Sequence, residues 1–271
     1  MLILLPPSEG KASPARGKPL DLDRLSSPVL TDARRQLLGT LVELCTGGAD
    51  HDTVEAKQVT LERAAQVLGL GATQHDLVTR NAALPSAPTA RADRVYTGVL
   101  FDHLDFATLS AAAKRRASSR VAITSSLFGI VRPADHIPSY RLSGDVTLPG
   151  LGPVAAFWRE RLGPAVEAAV GTGLLVDLRS STYAAFWRPP AELASRLATV
   201  RVLHESNGTR KVVSHFNKAT KGRLVRQLLE DGRNPRTPAA LADVLIDLGW
   251  KVETESQGAK GTRLDVIVTE L

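Results

Sequence analysis

Only one cysteine, Cys45, occurs in the chain. No disulfide can form within it, and a reducing, cytoplasmic setting is the simplest expectation. No run approaches the ~18 to 20 consecutive apolar residues that a membrane-spanning helix requires. The opening MLILLPPSEGK has no basic stretch ahead of its apolar run, so neither a cleaved leader nor a membrane partner is expected. A Walker phosphate loop, a dinucleotide glycine fingerprint and a serine-hydrolase elbow are all missing. The six histidines never fall as a pair at i, i+3 or i+4. The best iron candidates, DHD at 50 to 52 and DHLD at 102 to 105, read better as helix boundaries, so no metal and no cofactor is expected. Internal repeats, low-complexity tails and long linkers are absent too. Residues 1–271 are therefore expected to form a single domain of α/β (mixed α+β) class, a central mixed β-sheet flanked by helices, with a monomer as the simplest state.

What is present is apolar residue, at 43%, ample for a core, and an excess of positive charge. Thirty-four Lys and Arg against 28 Asp and Glu give +6, which favours anionic partners, although an Arg-rich genome could yield the same total. The excess is clustered. Between Arg210 and Arg226 there are six basic residues and no acid, and between Ala111 and Arg141 six basic residues against Asp135 alone.

Periodicity and breakers place the elements. MLILL reads as a strand ended by Pro6 and Pro7, after which Ser8, Glu9, Gly10 and Lys11 follow at its end. Helices are expected over roughly 28 to 45, over VEAKQVTLERAAQVLGL, over DFATLSAAAKRRA with Asp105 as cap, and from Pro153 to Val170. RVAITSS and GLLVDLRS read as strands, and RVLHES with KVVSHF as a hairpin about Asn-Gly. ATKGRLVRQLLED reads as a basic helix opening near Lys218, TPAALADVLIDLG as a helix capped by Thr237, and WKVETES with TRLDVIVTEL as closing strands.

Three groupings suggest anion chemistry. Lys218 and Lys221 would sit in the first turn of the basic helix, where free backbone N–H groups already attract anions; a solvated basic face is the bland alternative. With Arg223 and Arg226 that helix leads into a turn holding Gly232, Arg233, Asn234 and Arg236, then a second helix. Such a helix-hairpin-helix-like pair can grip a DNA backbone, although a hairpin of this kind normally has two glycines and here has one. In LFGIVRPADHIPSYRL, two prolines stiffen the loop bearing Arg132, Tyr140 and Arg141; these guanidiniums suit phosphate or carboxylate, or they pair with Asp135 or Asp145 and merely pin the loop.

PPSEGK, VYTG at 95 to 98, SSLFGIVRPADHIPSYRL at 125 to 142, AFWRERL, DLRSSTY at 177 to 183 and SHFNKATKGRLVRQLL at 214 to 229 occur in this order from end to end. Together they resemble the YaaA family of bacterial peroxide-stress proteins. The resemblance implies a cytoplasmic protein with an unusual mixed fold, a basic cleft and a helix-hairpin-helix-like element. It also implies survival under hydrogen peroxide, low free iron and DNA binding without strong sequence preference. By position, the family's motifs fall on Lys11, on Tyr96, Thr97 and Gly98, on Arg132 and Pro133, on Tyr140 and Arg141, and on Lys218, Lys221, Gly222 and Arg226. This chain departs from the family in PPSEGK, where others carry a shorter serine-proline-alanine-lysine run, and in His215, Phe216 and Asn217.

Two functions fit. In the first, Ser8, Lys11, Tyr96, Thr97, Arg132, Tyr140, Arg141, Lys218, Lys221, Arg223, Arg226 and Arg233 bind the backbone of double-stranded or damaged DNA, with only an indirect effect on iron. In the second, the same cleft takes a small anionic or nucleotide-like substrate, with Lys11 as catalytic amine assisted by Tyr140 and with Ser8, Glu9 and Tyr96 at hand. The first is the leading expectation. Both require Lys11, Arg132, Arg141, Lys218 and Lys221 to converge.

Overall fold

The computed structural model describes residues 1–47, 53–206 and 208–269. Its centre is a strand of four apolar residues, Leu2–Leu5, all fully buried. A strand covered on both faces has no polar side to present, which is why it reads as an unbroken apolar run rather than an alternating one. It pairs in parallel with Val121–Ser125 on one side and Leu175–Asp177 on the other. Beyond Leu175–Asp177 the parallel ladder continues through Leu197–Ser206 to Thr262–Val268. Antiparallel strands close the two edges, Lys251–Ser256 beside Thr262–Val268 and Gly129–Val131 beside Val121–Ser125. Thr209–Lys211 adds a short hairpin arm on Leu197–Ser206. The result is one mixed eight-stranded sheet with helices packed against it, the expected class.

Several boundaries differ from the sequence reading, each for a local reason. Asp105 does not cap the helix after it. It takes a left-handed conformation (φ 45°) that ends the helix Val99–Leu104, and Ser110 caps Ala111–Arg120 through its side chain instead. The stretch from Pro153 divides into Val154–Arg159 and Gly163–Val170. The segment KVVSHF is only briefly a strand: pairing ends at Lys211, and Ser214 already begins a helix that runs to Asp231. Lys218 therefore lies in the second turn of that helix and Lys221 one turn further on, neither in the first turn where free backbone N–H groups lie. Asn207 of the Asn-Gly turn and Asp50, His51 and Asp52 lie outside the described residues.

The helix Ser214–Asp231 crosses Val99–Leu104 at Gly222, where an added Cβ would stand 2.3 Å from the Leu100 carbonyl oxygen. Only a glycine permits that approach. The contact sets the basic helix against the segment that follows Tyr96-Thr97-Gly98, and so brings two distant sequence motifs to one edge of the sheet. At that edge the parallel strands Leu2–Leu5 and Leu175–Asp177 end and their loops leave side by side, the common position for a ligand site in such sheets.

Among the described residues no helix is long and apolar enough to cross a membrane.

Candidate active site

The loop after Leu2–Leu5 is stitched to the Tyr96 segment. Lys11 forms an isolated antiparallel bridge with Tyr96, and the Ala12 N–H donates to the Val95 carbonyl at 2.9 Å. Ser8 Oγ donates to the Gly10 carbonyl at 2.6 Å and accepts from the Thr97 N–H at 3.1 Å. Gly98 follows with φ 90°, a conformation costly for any other residue, and lets the chain turn at once into Val99–Leu104. Ser8, Glu9 and Gly10 thus form a tight turn lying over the Lys11 side chain.

Lys11 reaches in beneath that turn. Its ammonium donates to the Ser8 carbonyl at 2.8 Å and to the Glu9 carbonyl at 3.4 Å. It sits 4.2 Å from the centre of the Tyr140 ring and 5.6 Å from that of Tyr96. Carbonyls and aromatic faces replace little of the hydration an ammonium loses, and among the described residues Lys11 makes no ion pair. Burial pulls its pKa down to about 7; Glu9 opposes this, and the like charges of Arg141 and Arg80 add to it. The rings beneath are fixed. The Tyr96 and Tyr140 hydroxyls lie 3.0 Å apart, and Ser125 Oγ lies 2.8 Å from that of Tyr140 while accepting from the Phe128 N–H. Burial raises both phenol pKa values, so these hydroxyls stay protonated at neutral pH.

Beside the turn opens a cleft of about 550 Å³. Ser8, Glu9 and Gly10 form one wall and Thr97 to Phe101 another. The loop Leu178 to Tyr183 and the helix residues Asn217, Lys218 and Lys221 complete it. Lys221 is buried and donates to the Leu178 carbonyl at 3.0 Å; burial lowers its pKa to about 8, with Asp177 opposing. Lys218 is exposed at the rim. Glu9 closes the far side, its carboxylate accepting from Arg141 Nη1 at 2.6 Å, with Ser143 Oγ and the Tyr183 hydroxyl each at 3.4 Å. Asn81 holds the Arg141 backbone from both sides, donating to its carbonyl at 2.7 Å and accepting from its N–H at 2.8 Å.

Of the residues singled out in the sequence, Ser8, Thr97, Lys218 and Lys221 line this cleft, and Lys11, Tyr96, Tyr140 and Arg141 stand directly behind its wall. Four others stand elsewhere. Arg132 donates to the Ser119 and Val121 carbonyls, its backbone N–H to Asp135, so it pins its loop. Arg226 donates to the Leu104 and Asp105 carbonyls and so caps the helix Val99–Leu104. Arg233 is held between Asp231 and Asp247 at 2.9 and 2.6 Å. Arg223 is exposed on the basic helix outside the cleft lining. The turn between Ser214–Asp231 and Pro238–Asp247 is itself engaged: Arg120 donates to the Gly232 and Arg233 carbonyls, and the Met1 amino group to Asn234.

Sequence reasoning missed Ser143, Tyr183 and Asn81. Tyr183 lay inside the quoted DLRSSTY, whereas nothing local marks Asn81, whose role arises only from its contact with Arg141. Among the described residues, no three His, Cys, Asp or Glu side chains gather closely enough to hold a metal ion.

A second basic region lies apart from the cleft. Two adjoining grooves share Arg91 and Arg94; one adds Lys114 and Arg115, the other Arg16, Lys18 and Arg24. Arg91 pairs with Asp93. Among the described residues, Arg16, Lys18, Arg24, Arg94 and Arg115 form no ion pair.

The fold places a cleft lined by Lys218 and Lys221, with Lys11 behind its wall, at the ends of the parallel strands of a mixed α/β protein. The family described as peroxide stress protein YaaA matches residues 1–256, and the chain belongs to it. A UPF0246 protein of Streptomyces coelicolor is 52% identical over the whole of both chains. One of Corynebacterium efficiens is 40% identical over 97% of this chain and 98% of its own.

The lowered Lys11 pKa has a thermodynamic signature. The folded protein gives up this proton near pH 7, whereas the unfolded chain holds it to about 10.5. Between those values the unfolded state binds more protons, so stability rises with pH, by up to about 1.4 kcal/mol per pH unit from this group. Below pH 7 both states are protonated and the contribution is flat. Denaturant titrations from pH 6 to 10 should show a shallower rise for Lys11→Met than for the wild type. Equal slopes would contradict the assignment.

Proposed function

We propose that the cleft is an active site for a small anionic or nucleotide-like substrate, with Lys11 as its catalytic amine. One observation carries this reading: an amine held under the Ser8–Gly10 turn, 4.2 Å from the centre of the Tyr140 ring and with its pKa brought to about 7 despite the opposing charge of Glu9, against the wall of a cleft that Lys218 and Lys221 line. A neutral amine can add to a carbonyl carbon, forming an imine with loss of water; it can equally take a proton from a carbon acid. Arg141, Lys218 and Lys221 would hold the substrate's negative charge. Tyr140 supports Lys11 through its ring face, and its hydroxyl faces Tyr96 and Ser125. In a family named for peroxide stress, such an enzyme would act on a compound that peroxide produces or threatens.

The test is reductive trapping. Wild-type protein incubated with glyoxylate or glyceraldehyde 3-phosphate and borohydride should carry an adduct on the peptide containing Lys11, absent in Lys11→Met. No Lys11 adduct with either probe removes the imine-forming reading.

The DNA reading is supported by a different feature, the paired basic grooves with their unpaired guanidiniums. Non-specific backbone binding there would weaken with salt by a log-log slope of about 0.9 per phosphate neutralised. Reversing the charges of Arg16, Lys18, Arg94 and Arg115 together should flatten that slope, while Lys11→Met leaves it unchanged. A slope independent of these residues would discard the groove as the DNA site.

A further inference from the structure

The Glu9 carboxylate is half exposed, at 51% of its side chain, yet three donors from two separate parts of the chain, Arg141 and Ser143 of one loop and Tyr183 of another, converge on it. An exposed glutamate ordinarily gains little from a single ion pair and remains in water. Here its partners are built independently of it. Arg141 is fixed through its backbone by Asn81. Tyr183 is fixed by Arg179, which donates to its carbonyl at 3.2 Å and is itself paired with Asp177 at 2.7 Å. The receptor also has a donor to spare, because Arg141 Nε is buried without a partner among the described residues. Arginine, phenol and hydroxyl donors meeting one carboxylate, with a further N–H unused, make a carboxylate receptor that the protein's own side chain fills.

Glu9 also belongs to the turn whose carbonyls cover the Lys11 ammonium. Its bond to Arg141 ties that turn to the Arg141 loop and so holds the cover in place. A carboxylate arriving from the cleft could replace Glu9 without changing the net charge beside Lys11, and would release the turn in doing so.

We infer that Glu9 is an internal stand-in for the substrate: the natural ligand of the cleft carries a carboxylate that displaces Glu9 from Arg141, Ser143 and Tyr183 and thereby uncovers Lys11. This deepens the active-site reading and rests on it for the role of Lys11, but the exchange itself involves no covalent chemistry and can be measured alone.

Fluoroacetate, followed by fluorine NMR, and inorganic phosphate, followed by phosphorus NMR, serve as probes for wild type, Glu9→Gln and Glu9→Ala. Removing the internal competitor should tighten fluoroacetate binding about fivefold or more, the factor equivalent to about 1 kcal/mol. Arg141→Gln should abolish binding in every background. At about pH 9, where the Lys11 amine is already neutral in wild type and variants alike, acetic anhydride should label Lys11 faster in both Glu9 variants. Unchanged or weaker fluoroacetate binding in both Glu9 variants overturns the proposal, as does phosphate binding tighter than fluoroacetate. Lys11→Met should retain fluoroacetate binding. Exchange that persists while borohydride trapping fails would sink the imine chemistry alone, and trapping that succeeds without exchange would sink this inference alone.

Discussion

The site depends on one unfavourable placement: a lysine side chain folded back under its own loop, its charge facing aromatic rings and peptide carbonyls. A free lysine loses little by staying in water, so something must hold this one in. The bridge to Tyr96, the stacked order of Ser8, Thr97 and Gly98, and the Glu9–Arg141 bond supply that hold. Burial in that position draws the amine's pKa down to about 7. Sites that do chemistry often show this combination of desolvation and nearby like charge.

The packing behind the site explains why remote residues matter to it. Arg132, Arg226, Arg116 and Arg120 use their guanidiniums on backbone carbonyls at helix and strand ends. These residues raise the net charge without offering it to a ligand. A high pI in such a chain is therefore a poor measure of how much anion-binding surface it presents.

Much of the frame was legible from sequence. MLILL and GLLVDLRS read as buried strands because parallel strands covered on both faces are apolar throughout, and Lys11 was placed at a strand end by the two prolines. The hydrophobic stripe of the helix Ser214–Asp231 was visible, but its start was not, because Val212, Val213 and the aromatic at 216 look like strand until the hairpin pairing stops at Lys211. Which arginines face a ligand could not be read either. Arg132 and Arg141 occupy one stiff loop nine residues apart, and only the fold decides that the former meets carbonyls and the latter meets Glu9. The Asn81 clamp carries no sequence signal, since an ordinary helical asparagine acquires its function from a loop sixty residues away.

The most direct test is the titration of the Lys11 amine itself, by carbon NMR of protein carrying labelled lysine, with Lys11→Arg used to assign the signal. The account predicts a midpoint near 7, with Lys221 the next to titrate at about 8. A Lys11 midpoint close to the ordinary value of 10.5 would contradict it, because the amine would then be a solvated surface charge with no special chemistry to offer.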